Sequence, residues 1–204
     1  MSAPSIYLAS KSSRRETLLG QLGIGFAPLL LREAAGRDRD VVEEVLDGEP
    51  PLHYVERIAR TKSLVGAQQM HRRKLEPRPV LGADTEVVLD GVVFGKPRDA
   101  ADAVRMLMAL SGRTHEVLTA VAVCWNDEIS AEISASSVTL CDIARADIDR
   151  YVATGEPFDK AGAYAVQGRA AAFVRRIDGS YSGVMGLPLY ETATLLARIG
   201  FPVL

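Results

Sequence analysis

The chain passes directly from a short apolar stretch, Ile6-Tyr7-Leu8-Ala9, into Ser10-Lys11-Ser12-Ser13-Arg14-Arg15, and from there into the helical Glu16-Thr17-Leu18-Leu19. A buried strand that feeds a helix through one polar turn is the basic unit of an α/β fold, in which helices cover the faces of a sheet. The turn also leaves the first N–H groups of the helix without partners, and Arg14 and Arg15 add two permanent charges beside them. Two readings follow: an anion site, for phosphate above all, or an ordinary N-capped surface helix with solvated basic residues.

A second apolar run, Pro79-Val80-Leu81-Gly82-Ala83, leads to Asp84-Thr85-Glu86. Open α/β sheets carry their chemistry where strands end, so a strand ending at Ala83 would place Asp84 in the position of a catalytic carboxylate; the other reading is a turn residue. Asp90-Gly91 between apolar runs signals a tight hairpin, which is expected to fold Lys96 back toward Asp84 as a cation for phosphate. Without a ligand, Lys96 would be a surface charge before Pro97.

Elsewhere the spacing predicts a helix from Ser13 to about Leu22, a strand over Phe26–Leu31, and a helix opened by Pro50-Pro51 with Leu52, Val55, Ile58, Ala59 and Lys62 at helical intervals. Lys62 thus lies on or beside the inward face, where a lysine either meets a partner or snorkels outward. The charged stretch Arg32–Glu49 has no clean period and reads as a mobile flap or insertion. An Asp-capped helix is expected over Asp99–Leu110, and a pair of antiparallel strands over Thr114–Trp125 and Glu128–Asp142 with a polar turn at Asn126-Asp127. A helix over Ala146–Ala153 and one between Pro188 and Gly200 complete the reading.

At 204 residues the chain suits one domain with two lobes around a cleft. Its net charge of −2 gives no basic footprint for nucleic acid. Cys124 and Cys141 have neither metal-ligand spacing nor a CxxC arrangement, and read as thiols of a reducing compartment. No apolar run approaches membrane-spanning length, so a soluble cytoplasmic protein without membrane partners is expected. The absence of GxxxxGK[ST] disfavours a P-loop NTPase.

The loop Asp159-Lys160-Ala161-Gly162-Ala163-Tyr164, continuing to Gln167-Gly168, combines small residues that admit a ligand with polar groups to orient it. Taken in order with Leu8-Ala9-Ser10 and Arg14-Arg15, Gly82-Ala83-Asp84-Thr85, Gly95-Lys96-Pro97, Leu110-Ser111-Gly112, Gly179-Ser180-Tyr181 and Val184-Met185-Gly186-Leu187-Pro188, this chain resembles the Maf family of nucleoside triphosphate pyrophosphatases over nearly its whole length. The resemblance implies a Maf/ITPase-like mixed α/β fold: a central sheet flanked by helices, with the substrate cleft between two lobes. It further implies hydrolysis of a nucleoside triphosphate to monophosphate and pyrophosphate with a divalent cation, magnesium or manganese, in the branch acting on dTTP and UTP. A homodimer is a further family expectation.

By resemblance, Asp84 takes the catalytic carboxylate position, Ser10, Arg14, Lys62 and Lys96 the phosphate-binding positions, and Arg15, Thr85 and Gln167 positions tied to substrate choice. Asp84 serves as general base or as metal ligand, and the sequence does not separate these roles. The family's acidic cluster after the second strand aligns loosely here; Glu33 is the metal-ligand candidate, with Asp38 behind it. Ser13 and Gly95 depart from the family pattern, standing where a proline and an acidic residue are usual. Gln167 offers one donor and one acceptor, the complement of O4 and N3–H on uracil or thymine. The rival readings are a nucleotide-binding regulator of septum formation without turnover, and a pyrophosphatase acting on purine triphosphates such as ITP.

Overall fold

The structure is a computed structural model and describes residues 5–32 and 40–203. Strand β1 (Ser5–Leu8) leads through helix α1 (Ser13–Gln21) to strand β2 (Gly25–Pro28), and the long helix α2 (Pro51–Arg72) follows an irregular stretch. Then come β3 (Val80–Leu89), β4 (Val92–Phe94), α3 (Ala100–Leu110), β5 (Thr114–Trp125), β6 (Glu128–Leu140) and α4 (Arg145–Val152). After a series of 3-10 turns the chain closes with β7 (Val174–Asp178), α5 (Tyr181–Met185) and α6 (Leu189–Arg198). Among the described residues the strands form one mixed sheet in the order β2-β1-β3-β5-β6-β7, with β4 paired to β3. The first strand runs parallel to β2 and β3, and the other pairings are antiparallel. The expected mixed α/β architecture is therefore present.

Both hairpins turn where the sequence says. Asp90 and Gly91 have φ of 52° and 77°, and Asn126 and Asp127 have φ of 51° and 63°. Two left-handed residues in a row give the twist that a two-residue hairpin needs, and Asp, Asn and Gly reach that region most cheaply.

Helix α2 covers one face of the sheet, its Val55 and Ala59 packing with Val88, Leu118, Ala120 and Ala122. At Gly82 the two backbones nearly touch: a Cβ there would come within 2.6 Å of the Ala59 carbonyl oxygen and the Ser63 nitrogen, and 3.0 Å of Lys62 Cβ. This close approach hangs Lys62 over the middle of β3. The opposite face carries two apolar clusters. One joins α1 and α6 to the sheet through Leu18, Leu19, Ala83, Val121 and Leu195; the other joins α3 and α4 to it through Val87, Leu107, Leu110, Val117 and Ile148. Thr85 and Thr119 pair across β3 and β5 between them, and the cleft opens at this seam between two lobes.

One expectation is corrected. β3 does not end at Ala83 but continues to Leu89, because β5 pairs with it residue by residue, Asp84 opposite Ala120 and Val87 opposite Val117. Asp84 is thus a mid-strand residue. What ends is the neighbour: β1 pairs with β3 only through Leu81, and β4 takes up the same edge only at Val87. Among the described residues no strand pairs with that edge from Gly82 to Glu86, a gap at the carboxyl end of β1 where an open α/β sheet places its ligand.

The stretch before α2 has no regular structure from residue 41 to 50 and lies against that helix. Asp40 pairs with Arg32 at 3.0 Å, and Glu49 with Arg57 at 2.6 Å, while Arg57 also donates to the Glu44 carbonyl at 2.9 Å. Glu33 and Asp38 lie outside the described residues.

Candidate active site

A cavity of about 510 Å³ opens at the gap in the sheet edge and takes walls from the β1–α1 turn, α2, β3, the turn after β4, and the segment 159–167. Asp84 and Glu86, two apart on a strand, point to the same face, toward α2. Lys62 Nζ stands 2.8 Å from Asp84 Oδ1 and 2.7 Å from Glu43 Oε1, so the lysine meets acids on two sides. Asp84 Oδ2 and Glu86 Oε2 are both buried without a hydrogen-bond partner. Burial, and after it the charge of Asp84, pushes the Glu86 carboxyl up to about 8; Lys62 and Lys96 oppose that rise without cancelling it. Glu86 therefore favours its protonated form toward neutral pH.

The cations complete the picture. Lys96 follows β4 onto the cavity wall as expected, close enough for its charge to act on Glu43 and Glu86. Arg14, at the start of α1, pairs with Asp159 at 3.3 Å and ties the β1–α1 side of the cavity to the segment after α4. Ser10 lines the same wall, its Oγ accepting the Ser12 N–H at 3.2 Å.

Arg15 has a different station. It is buried, and its guanidinium donates to Gly186 O at 2.8 Å, Ser10 Oγ at 3.1 Å and Thr85 Oγ1 at 3.2 Å. Burial lowers its pKa, and the charge of Asp84 offsets part of that fall. One side chain thus ties β3, the β1–α1 turn and the end of α5 together. Thr85 faces away from Asp84, between Arg15 and the Thr119 hydroxyl 3.1 Å away. Gln167 is exposed on the opposite wall beside Val166.

All eight sequence-derived positions inside the described residues, Ser10, Arg14, Arg15, Lys62, Asp84, Thr85, Lys96 and Gln167, border this one cavity. Sequence reasoning missed Glu86 and Glu43. The first was readable, since a strand through Asp84 puts Glu86 on the same face; it was hidden by ending the strand at Ala83. Glu43 sits in a stretch without periodicity, and no local signal marks it. Among the described residues no three His, Cys, Asp or Glu side chains are grouped closely enough to enclose a metal ion.

Fold and site define an α/β protein whose cleft gathers cations, Arg14, Arg15, Lys62 and Lys96 among them, beside a pair of buried carboxylates, an arrangement for a polyanion that is to be acted upon. The comparisons with known proteins agree in kind. The model of the family described as "Maf-like protein" matches residues 5–199, and the chain belongs to that family. It is 52% identical over 198 residues to the dTTP/UTP pyrophosphatase of Nitrosomonas europaea, covering 97% of this chain and 96% of that one. It is 54% identical over 191 residues to the dTTP/UTP pyrophosphatase of Nitrosospira multiformis, covering 94% and 92%. Among solved structures, the Ham1 protein of Staphylococcus aureus aligns with a TM-score of 0.46 at 17% identity over 68% of this chain and 72% of that one, a distant likeness.

Proposed function

We propose that this chain hydrolyses dTTP and UTP to the nucleoside monophosphate and pyrophosphate, by attack of water at the α-phosphorus, as a house-cleaning activity against excess or non-standard nucleotides. The observation that carries this reading is the Lys62–Asp84–Glu86 cluster, a cation and two buried carboxylates with bare oxygens, in a chain half identical to dTTP/UTP pyrophosphatases. A regulator that only binds nucleotide has no use for two desolvated carboxyl groups beside its cations, since burying them is costly and a charged Asp84 repels the ligand.

In this reading Ser10, Arg14, Lys62 and Lys96 hold the triphosphate and offset the charge that gathers on the leaving pyrophosphate. Arg15 acts by fixing Ser10 and Thr85. Asp84 orients the attacking water and accepts its proton, while Lys62 keeps the carboxylate in place. Asp84 and Glu86 fit a small divalent cation, magnesium or manganese: two carboxylates are what such an ion commonly takes from protein when substrate phosphates and water complete its shell. When bound, that ion neutralises phosphate charge and favours deprotonation of the nucleophile. Gln167 faces the pyrimidine edge, its amide N–H toward O4 and its carbonyl toward N3–H.

A panel of nucleoside triphosphates assayed with magnesium and with chelator tests the reading. dTTP and UTP should yield pyrophosphate in the magnesium arm, with ATP, GTP and ITP much poorer. Equal turnover of ITP would put the chain among the purine-directed enzymes instead.

A further inference from the structure

The segment that carries Gln167 is held in an unfavourable backbone conformation, and its anchor lies outside the cavity. Gly162 and Ala163 have φ of 68° and 62°. For Ala163, which carries a Cβ, this is the left-handed region that L residues avoid and that persists only where the surroundings impose it. Upstream, the Gly162 N–H donates to the Gly95 carbonyl at 3.1 Å, and Gly162 lies so close to Val87 that a Cβ would come within 2.8 Å of its Cγ2. Downstream, the Arg169 N–H donates to Glu156 Oε2 at 3.1 Å, and Glu156 Oε1 is held in turn by the Tyr151 hydroxyl at 3.0 Å. Between these ties, Tyr164 reaches back into the protein and its hydroxyl meets His115 Nε2 at 2.7 Å, with the two rings edge to face at 83°.

His115 is 2% exposed on β5, and its Nδ1 has no hydrogen-bond partner. Burial lowers its pKa to about 4, so the ring is neutral at physiological pH. A buried imidazole with half its polar capacity unmet is costlier than a leucine of similar volume, and its one bond is what a leucine there could not make. That bond ends on Tyr164, three residues before Gln167 and on the cavity wall.

We propose that His115 is a positioning residue for nucleobase recognition: by holding the Tyr164 hydroxyl it fixes the segment 163–168, sets Gln167 at the pyrimidine edge, and so determines the preference for UTP over CTP. The inference rests on the base-reading role given above to Gln167.

The test compares kcat/KM for UTP and CTP in the parent, Tyr164→Phe, His115→Leu, the double variant, His115→Gln and Gln167→Glu, each checked for folding by thermal melting, with inhibition by pyrophosphate measured in parallel. Tyr164→Phe keeps the ring and removes only the hydroxyl, so it serves if His115→Leu does not fold. The expected result is a UTP:CTP ratio reduced by roughly tenfold in Tyr164→Phe and His115→Leu, the scale of one weakened hydrogen bond at the base. The double variant should lose no more than either single one, because the two share one bond. His115→Gln, whose amide nitrogen takes the place of Nε2, should recover most of the ratio, and pyrophosphate inhibition should hold throughout. A ratio shifted by Gln167→Glu but unmoved by Tyr164→Phe overturns the positioning role and leaves the base reading intact. A ratio unmoved by Gln167→Glu overturns the base reading itself. Parallel loss of base preference and pyrophosphate affinity in Tyr164→Phe reduces the pair to a structural one and likewise overturns the inference.

Discussion

Asp84 and Glu86 are one methylene apart in chemistry and far apart in circumstance. Asp84 has Lys62 at 2.8 Å, whereas Glu86 has burial and a neighbouring carboxylate, and its pKa rises accordingly. Asp84→Asn keeps the shape and removes the proton acceptor, so kcat should fall by roughly 10²–10⁴ while the melting temperature stays near the parent's. Turnover close to the parent in a folded variant would mean that another carboxylate serves. Glu86 gives a prediction in pH. Its folded pKa of about 8 lies above the ordinary 4.5, so the folded state holds the proton more tightly than the unfolded state. The stability this confers is full below the ordinary value and is lost as pH rises through the folded one. In chelator, Glu86→Gln should therefore melt near the parent's temperature at or below about pH 4.5 and increasingly above it as pH rises from there to about 8, while losing activity. A parent whose stability is flat across that window would contradict the assignment. Of the two, Asp84 was legible because it follows an apolar run; Glu86 becomes readable only once the strand is carried past Ala83.

Elements were legible where their signals are local. Pro51 opens α2, Asp99 caps α3 by accepting the Asp102 N–H at 2.8 Å, and Asp90-Gly91 and Asn126-Asp127 turn the hairpins as expected. The length of β3 was not legible, since it is set by the register of β5, and α5, five residues long, reads as loop because so short a helix leans on tertiary packing. The joint between α2 and β3 has its own test. Gly82→Ala inserts a methyl 2.6 Å from two α2 backbone atoms and 3.0 Å from Lys62 Cβ, so the helix must lift. Overpacking of this kind costs about 1–3 kcal/mol, and the displaced Lys62 should raise KM for UTP in the same variant. Thermal melting and steady-state kinetics read the two effects; lowered stability with parental kinetics would show that α2 shifts without carrying Lys62 away from Asp84.

At the scale of the molecule, residues from five distant parts of the chain meet where β1 stops and two apolar clusters leave a seam. The resemblance carried in the sequence named most of these residues, and their convergence on one cavity is a property of the sheet order β2-β1-β3-β5, which no local signal encodes. The modest net charge of −2 hides the site, because its cations and carboxylates nearly cancel in composition while lining one space, with Lys62 directly against Asp84 and Glu43. The central claim is that this space directs water to the α-phosphorus of a pyrimidine triphosphate. Turnover of UTP in ¹⁸O-labelled water tests it most directly, with products resolved by mass spectrometry. The label should appear in UMP, with the pyrophosphate unlabelled; label in pyrophosphate, or in orthophosphate released beside UDP, would place the attack at the β- or γ-phosphorus and contradict the account.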